Sequence, residues 1–249
     1  PVEPPSFAVC FSGATTVELE SGKAIRMEEL KIDDKVLVRG GKYEKVYSFG
    51  HRDATASAVL FSLATESSAT LELSGDHLIW IDNTFVPASL VKVGDVLSNG
   101  ENVVSIKTVG RKGMYAPFTA SGTVVVSGVL CSSFVSMQQH SAHLMVGTTK
   151  LPVTWHWIAH SFELPHRLFS SLGETYTADG VSNWVDMPRT LIRWTLGLPL
   201  ALQVLFLLPS LLVLLAISLV VNSYMHMGVG MALAASYFTL GYNWQRLKH

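Results

Sequence analysis

The chain is short of cysteine and of charge, and each shortage excludes something. Two cysteines among 249 residues, Cys10 and Cys131, are too few for a disulfide framework, and a single bridge between them is the most they could form. Charged residues make up 15% of the sequence, against a usual quarter. The deficit is concentrated: no Asp, Glu, Lys or Arg occurs from Trp194 to Gln245. A net charge of −1 supplies no basic face, so nucleic acid is not an expected partner. Residues 1–9 have neither a basic start nor an apolar stretch, so they do not read as a signal peptide. They are Pro-rich and read as an extended stub.

From Cys10 to about Met137 the chain shows short β-rich runs separated by Gly, Asp and Asn turns. Thr15–Leu19, Lys35–Val38, Val59–Ala64, Thr70–Leu73, Leu78–Ile81, Val103–Thr108 and Thr123–Leu130 are the expected strands, with no long amphipathic helix between them. Such spacing predicts an all-β domain. A faint internal echo supports two similar halves: Leu30 and Val36–Leu37 recur as Leu90 and Val96–Leu97, each pair preceded by an acidic turn.

Residues 144–193 are rich in His and aromatics. Thr154 to Leu172 predicts a short helix broken at Pro165, either interfacial or packed. His156, His160 and His166 have helical spacing, but the segment is read without an acidic or Cys ligand, so no metal is assigned. Residues 194–245 predict a membrane hairpin. Thr195 to Val221 is a charge-free run of 27 residues, long enough to cross a hydrocarbon core of roughly 30 Å. Tyr224 to Tyr242 gives a shorter second stretch, with Gly230 and Ala234 at small-xxx-small spacing. Arg189 and Arg193 flank one end and Arg246 and Lys248, within the basic stretch 246–249, the other. Both β domain and C-terminus are therefore expected on the positive-inside (cytosolic, matrix or stromal) face, a secretory-pathway membrane being the alternative. The expected partners are a lipid bilayer and other membrane subunits.

The chemistry-bearing residues form ordered blocks. Cys10-Phe11 is followed by Gly13-Ala14-Thr15, then Ser74-Gly75-Asp76-His77-Leu78, then Tyr115-Ala116-Pro117-Phe118-Thr119 with Gly122-Thr123. A thiol can displace the amide before it only when a neighbouring group protonates the departing nitrogen, and Cys10 and His77 are candidates for those roles. These blocks resemble the Hint domain, the self-processing module of hedgehog C-terminal domains and inteins, over about residues 10–143. The hedgehog version is the nearer one.

The resemblance implies an all-β horseshoe, here followed by α-helical membrane segments. It also implies conversion of the Val9–Cys10 peptide into a thioester, with His77 protonating the leaving nitrogen and Ser74 standing where the family places a threonine. A sterol hydroxyl, water or a thiol then resolves the thioester, and no cofactor is implied. Three departures bear on the transfer. Val9 replaces a glycine and crowds the carbonyl. The sterol-activating aspartate maps onto His51, with Asp53 two residues on. The family's late cysteine maps onto Ser133, with Cys131 two residues earlier and expected on the same strand face. Two functions follow: a membrane-anchored self-cleaving domain, or a non-cleaving Hint scaffold serving as a subunit of a membrane complex.

Overall fold

The computed structural model describes residues 10–67, 69–169 and 175–220, with the side chains of 168 and 169 excepted. Val9 and the second apolar stretch, Tyr224 to Tyr242, therefore lie outside the described residues. Thirteen strands precede the helices among the described residues. They are β1 (Phe11–Ser12), β2 (Thr16–Glu18), β3 (Ala24–Arg26), β4 (Lys35–Val38), β5 (Lys42–Thr65), β6 (Thr70–Leu73), β7 (His77–Ile81), β8 (Thr84–Pro87), β9 (Val103–Thr119), β10 (Thr123–Val126), β11 (Val129–Val135), β12 (His143–Val146) and β13 (Thr149–Thr154). The helices are α1 (Trp155–Phe162), α2 (Leu164–Phe169), α3 (Asn183–Leu196) and α4 (Leu200–Val220).

One sheet runs β4-β5-β6-β1-β9, with β5 also paired to β9; a second runs β3-β2-β10-β11-β7-β8; β12 and β13 form a hairpin. Alternation decides which residues face inward. On β5, Ala58 and Leu60 are buried while Val59 between them is half exposed, the period of two expected for one face on a core. The expected short runs Val59–Ala64 and Val103–Thr108 are parts of two strands of 24 and 17 residues. These stay paired through register shifts at Val46/Ser48, Phe49/His51 and Asp53/Ser57, which let a long ribbon bend without losing its hydrogen bonds. Gly50 lies at one shift, where a Cβ would stand 2.4 Å from the Phe118 ring. The expected run Thr123–Leu130 is likewise interrupted. Ser127 and Gly128 both have positive φ and form a two-residue hairpin turn between β10 and β11.

The internal repeat is present, but in a different register from the sequence echo. Two 3₁₀ turns, Met27–Glu29 and Ala88–Leu90, lie 61 positions apart rather than 60. After each, a lysine amide donates to an aspartate side chain, Lys31 to Asp34 and Lys92 to Asp95, both at 2.8 Å. In this register buried Leu30 matches buried Val91, and buried Val36 matches buried Leu97. The echo had matched them with Leu90 and Val96, which are 41% and 50% exposed. Side-chain identity misled where burial decides.

A second apolar cluster joins Leu78, Phe85 and Leu144 of the β region to Trp155 and Ile158 of α1, with Leu207, Leu211 and Leu214 of α4 packed against it. The helix breaks at Glu163 and not at the expected Pro165: α1 ends at Phe162 and α2 begins at Leu164, with Pro165 in its first turn, where a missing N–H costs nothing. Helix α4 is long and apolar enough to cross a membrane, with a mean hydropathy of 2.6. It packs back on the chain rather than projecting from it, since Leu200 sits over Gly147 between β12 and β13 and Ser218 Oγ donates to Ser161 Oγ of α1 at 2.9 Å. Those contacts are about 27 Å apart along the helix axis.

Candidate functional site

Cys10 is placed by the strand it opens. Phe11 pairs with Leu73 on one side and Tyr115 on the other, so β1 is locked between β6 and β9. The thiol is fully buried among Ala58, Leu60 and Met114. The Ser74–His77 turn then closes over the Cys10 backbone. Ser74 N donates to the Cys10 carbonyl at 2.9 Å, and Cys10 N donates to Ser74 Oγ at 3.2 Å. The amide nitrogen of the Val9–Cys10 bond is therefore held by a buried hydroxyl.

His77 opens β7 from the same turn, its N–H donating to the Ser74 carbonyl at 3.1 Å. Its ring is fully buried, 3.9 Å from the Phe11 ring centre. Nε2 lies 2.9 Å from the Ser132 carbonyl, an acceptor only, so Nε2 carries the proton. Nδ1 then bears a lone pair, buried and without a partner among the described residues. Burial pushes the pKa of His77 down to about 4, against a weaker opposing effect of the Ser132 carbonyl. A proton placed on Nδ1 would be readily given up to a nitrogen nearby.

His51 on β5 reaches the Cys10 sulfur itself. Its Nδ1 is 2.7 Å from Cys10 Sγ, and its Nε2 is 2.7 Å from the Asp179 carbonyl. The carbonyl again fixes the tautomer: Nε2 carries the proton and Nδ1 accepts from the thiol. Burial lowers the pKa of His51 below its usual value, the Asp179 hydrogen bond opposing, so the ring is neutral and basic near pH 7. Cys10 is thus held at its nitrogen by the Ser74 hydroxyl and at its sulfur by the His51 imidazole, with the His77 ring packed on the adjoining Phe11.

The family described as the Hint module matches residues 5–197. The chain belongs to the Hint module family. Among curated proteins it is 33% identical to Protein qua-1 of Caenorhabditis elegans over 55% of this chain and 14% of that one. It is 28% identical to Sonic hedgehog protein of Danio rerio over 75% of this chain and 49% of that one. Protein hedgehog of Drosophila virilis is 32% identical over 58% and 34%. The match thus takes in no more than half the length of these relatives. A solved DnaB intein from Synechocystis sp. PCC 6803 is 15% identical, with a TM-score of 0.43 over 51% of this chain and 99% of that one.

Within this Hint module the remaining sequence candidates fall in separate places. Asp53 is two residues beyond His51, but its carboxylate caps its own turn: Oδ1 accepts from Thr55 N, Thr55 Oγ1 and Ala56 N. These bonds hold its pKa down, the Thr55 hydroxyl contributing most. Cys131 and Ser133 do not share an environment as expected, because the β11–β7 register shifts between Cys131 and Val135. Cys131 packs in the main core as a free thiol, with burial pushing its pKa up. Cys10 likewise forms no disulfide. Ser133 lines a cavity beside His51, and its buried Oγ has no partner among the described residues.

That cavity, of about 490 Å³, is the feature sequence reasoning missed. Gly50, His51 and Ser133 line it from the β strands, α1 and α3 form its sides, and Pro209, Val213 and Leu214 of α4 another wall. Its size is that of a small-molecule site. No motif announces it, because its walls come from segments distant in sequence. The histidines of α1 and α2 need one correction. An acidic side chain does accompany them, since Glu163 accepts from His166 Nδ1 at 2.7 Å and from Tyr47 Oη at 3.0 Å.

Proposed function

We propose that this Hint module cleaves its own chain at Val9–Cys10 through an N–S acyl shift, and that α4 holds the module on a lipid bilayer. The contact of Cys10 Sγ with His51 Nδ1 at 2.7 Å carries the reading. The thiol proton passes to Nδ1, and the sulfur pair forms a bond to the Val9 carbonyl carbon. The C–N bond breaks and the proton that left sulfur is relayed from His51 to the Cys10 nitrogen by way of His77 Nδ1, which takes it up and gives it up in turn. One proton leaves sulfur and one arrives at nitrogen, so the shift needs no co-reactant. Ser74 keeps the departing amide in place throughout. The cavity next to His51 offers room for an apolar alcohol that would resolve the thioester in place of water or a thiol.

The test is a precursor with a reporter domain joined through Val9 to the full chain. Dithiothreitol should release the reporter and leave a fragment beginning at Cys10, read by mass spectrometry. An intact Val9–Cys10 bond after prolonged incubation would reject self-cleavage and leave the non-cleaving membrane subunit.

Membrane anchoring has its own test. The outer side of α4 exposes Leu205, Leu208, Leu212 and Leu219. The chain should float with liposomes of neutral phospholipid at moderate salt. Leu208→Lys combined with Leu212→Lys, each costing about 2.5–3.5 kcal/mol in hydrocarbon, should weaken flotation severalfold or more. Equal flotation of the double variant would reject α4 as the anchor.

A further inference from the structure

We infer that the segment Tyr176–Ser182 is a positioning element that makes His51 a base for the Cys10 thiol, an inference that rests on the self-processing reading. The segment forms a tight turn of its own. Thr177 N donates to the Val181 carbonyl at 2.8 Å, Gly180 N to the Thr177 carbonyl at 3.0 Å, and Val181 N to Thr177 Oγ1 at 3.2 Å. The turn is laid along the edge of β5 at His51. Arg52 N donates to the Gly180 carbonyl at 2.8 Å, and Ser182 N to the Gly50 carbonyl at 3.0 Å. His51 is bracketed between these two bonds, with Val181 as its bridge partner. Its opposite edge is already taken by Ala116 of β9.

The consequence is chemical. A neutral imidazole places its proton on either nitrogen, and only the Nε2–H form can accept from the thiol at Nδ1. The Asp179 carbonyl, 2.7 Å from Nε2, selects that form. The approach is close enough that only glycine fits next to it. Gly180 has φ of 72°, and a Cβ there would stand 2.6 Å from Asp53 Cβ and 2.8 Å from the Arg52 carbonyl. Ser182 also caps α3, whose Arg189 and Ile192 line the cavity, so the same turn ties the cavity wall to the thiol base. The charges that act on His51 come from Asp53 on β5, Asp179 in the turn and Arg189 on α3.

The experiment uses the full-chain precursor in detergent micelles, with thiol-released cleavage timed across the pH range on either side of neutrality. The unsubstituted chain should climb to a plateau once His51 is neutral. His51→Gln should instead rise about tenfold per pH unit, as hydroxide must remove the thiol proton. Gly180→Val should lose about 10²-fold, the lower range for a general base, and take on the His51→Gln profile. Adding Gly180→Val to His51→Gln should cost nothing further. Thr177→Val, which keeps the side-chain shape and removes one bond of the turn, should act in the same direction by a smaller factor and guards against misfolding of Gly180→Val.

Imidazole ¹⁵N shifts supply a readout independent of cleavage: His51 should be Nε2–H in the unsubstituted chain and a mixture in either turn variant. Equal losses from Gly180→Val in both backgrounds, or an unchanged tautomer in both variants, would overturn the inference. If the unsubstituted precursor releases nothing, the self-processing reading fails by itself, and the tautomer still decides the role of the turn.

Discussion

A precursor carrying Cys10→Ala should release no fragment under dithiothreitol, while His77→Ala should retain Cys10 and still react at least about 10³-fold more slowly. The two losses have different origins. Alanine at 10 removes the nucleophile, and nothing else described near the junction can replace it, because Cys131 is packed in the main core. Alanine at 77 leaves the thiol and its base in place but removes the group that protonates the leaving nitrogen. General acid catalysis contributes about 10²–10⁴-fold, and the upper part of that range applies because an amide nitrogen departs poorly without a proton.

The substitution at 77 also empties a buried site next to Phe11, so His77→Gln is the companion variant. It fills the site, donates no catalytic proton, and should be as slow as alanine while unfolding closer to the unsubstituted chain. Release rates read on gels, with the new terminus sequenced, check all three. A His77→Gln rate within tenfold of the unsubstituted chain would remove His77 from the mechanism.

The chemistry was more legible in the sequence than the architecture around it. Cys10, Ser74 and His77 could be named because each sits in a short block whose spacing is local. Ser74 and His77 share one turn, and Cys10 directly precedes a buried phenylalanine. His51 could be located as a candidate, but not its partner, because the Asp179 carbonyl is a backbone atom and carries no residue preference. The Ala178-Asp179-Gly180 stretch is an ordinary turn signal, and nothing local says that it lies along β5. The two long strands look like fragments in the sequence because the bulges that bend them also interrupt their alternation. Cys131 shows the same failure in one residue: a period of two predicts its face until a bulge shifts the register between Cys131 and Val135. Helix α4 was legible as apolar from composition alone. That its inner side walls a cavity beside the thiol site was not, since leucine and valine fall on both sides of it.

Stability should collapse between about pH 6.5 and 4. His77, His156 and His160 are all pushed down to about 4 from a usual 6.5, in each case chiefly by burial. For the last two, neighbouring cationic side chains add to the effect, Arg39 at His156 and Arg167 at His160. Below pH 6.5 the unfolded chain binds a proton at each of these sites and the folded chain does not. The unfolded state therefore gains free energy as pH falls, and the loss levels off only once the folded sites titrate near 4. For His77 the full window is worth about 3 kcal/mol. His156 and His160 stack on one another at 5.9 Å, so in the folded chain protonating one disfavours protonating the other, which adds to the loss.

Burial raises the pKa of Glu72 but Arg111 and Ser12 together hold it below its usual value, so its contribution is also lost on acidification, while Asp76, raised by burial, opposes the loss. Urea unfolding followed by tryptophan fluorescence should show the midpoint falling steeply from pH 6.5 to 4.5. His77→Gln should remove about one proton from the slope of stability against pH. A midpoint flat across that range would mean that the three rings are not held neutral, and His77 would then be too weak an acid in its protonated form to drive amide departure. The acid lability of the fold and the proton-donating power of His77 are thus one physical property, the exclusion of water from a ring wedged against Phe11.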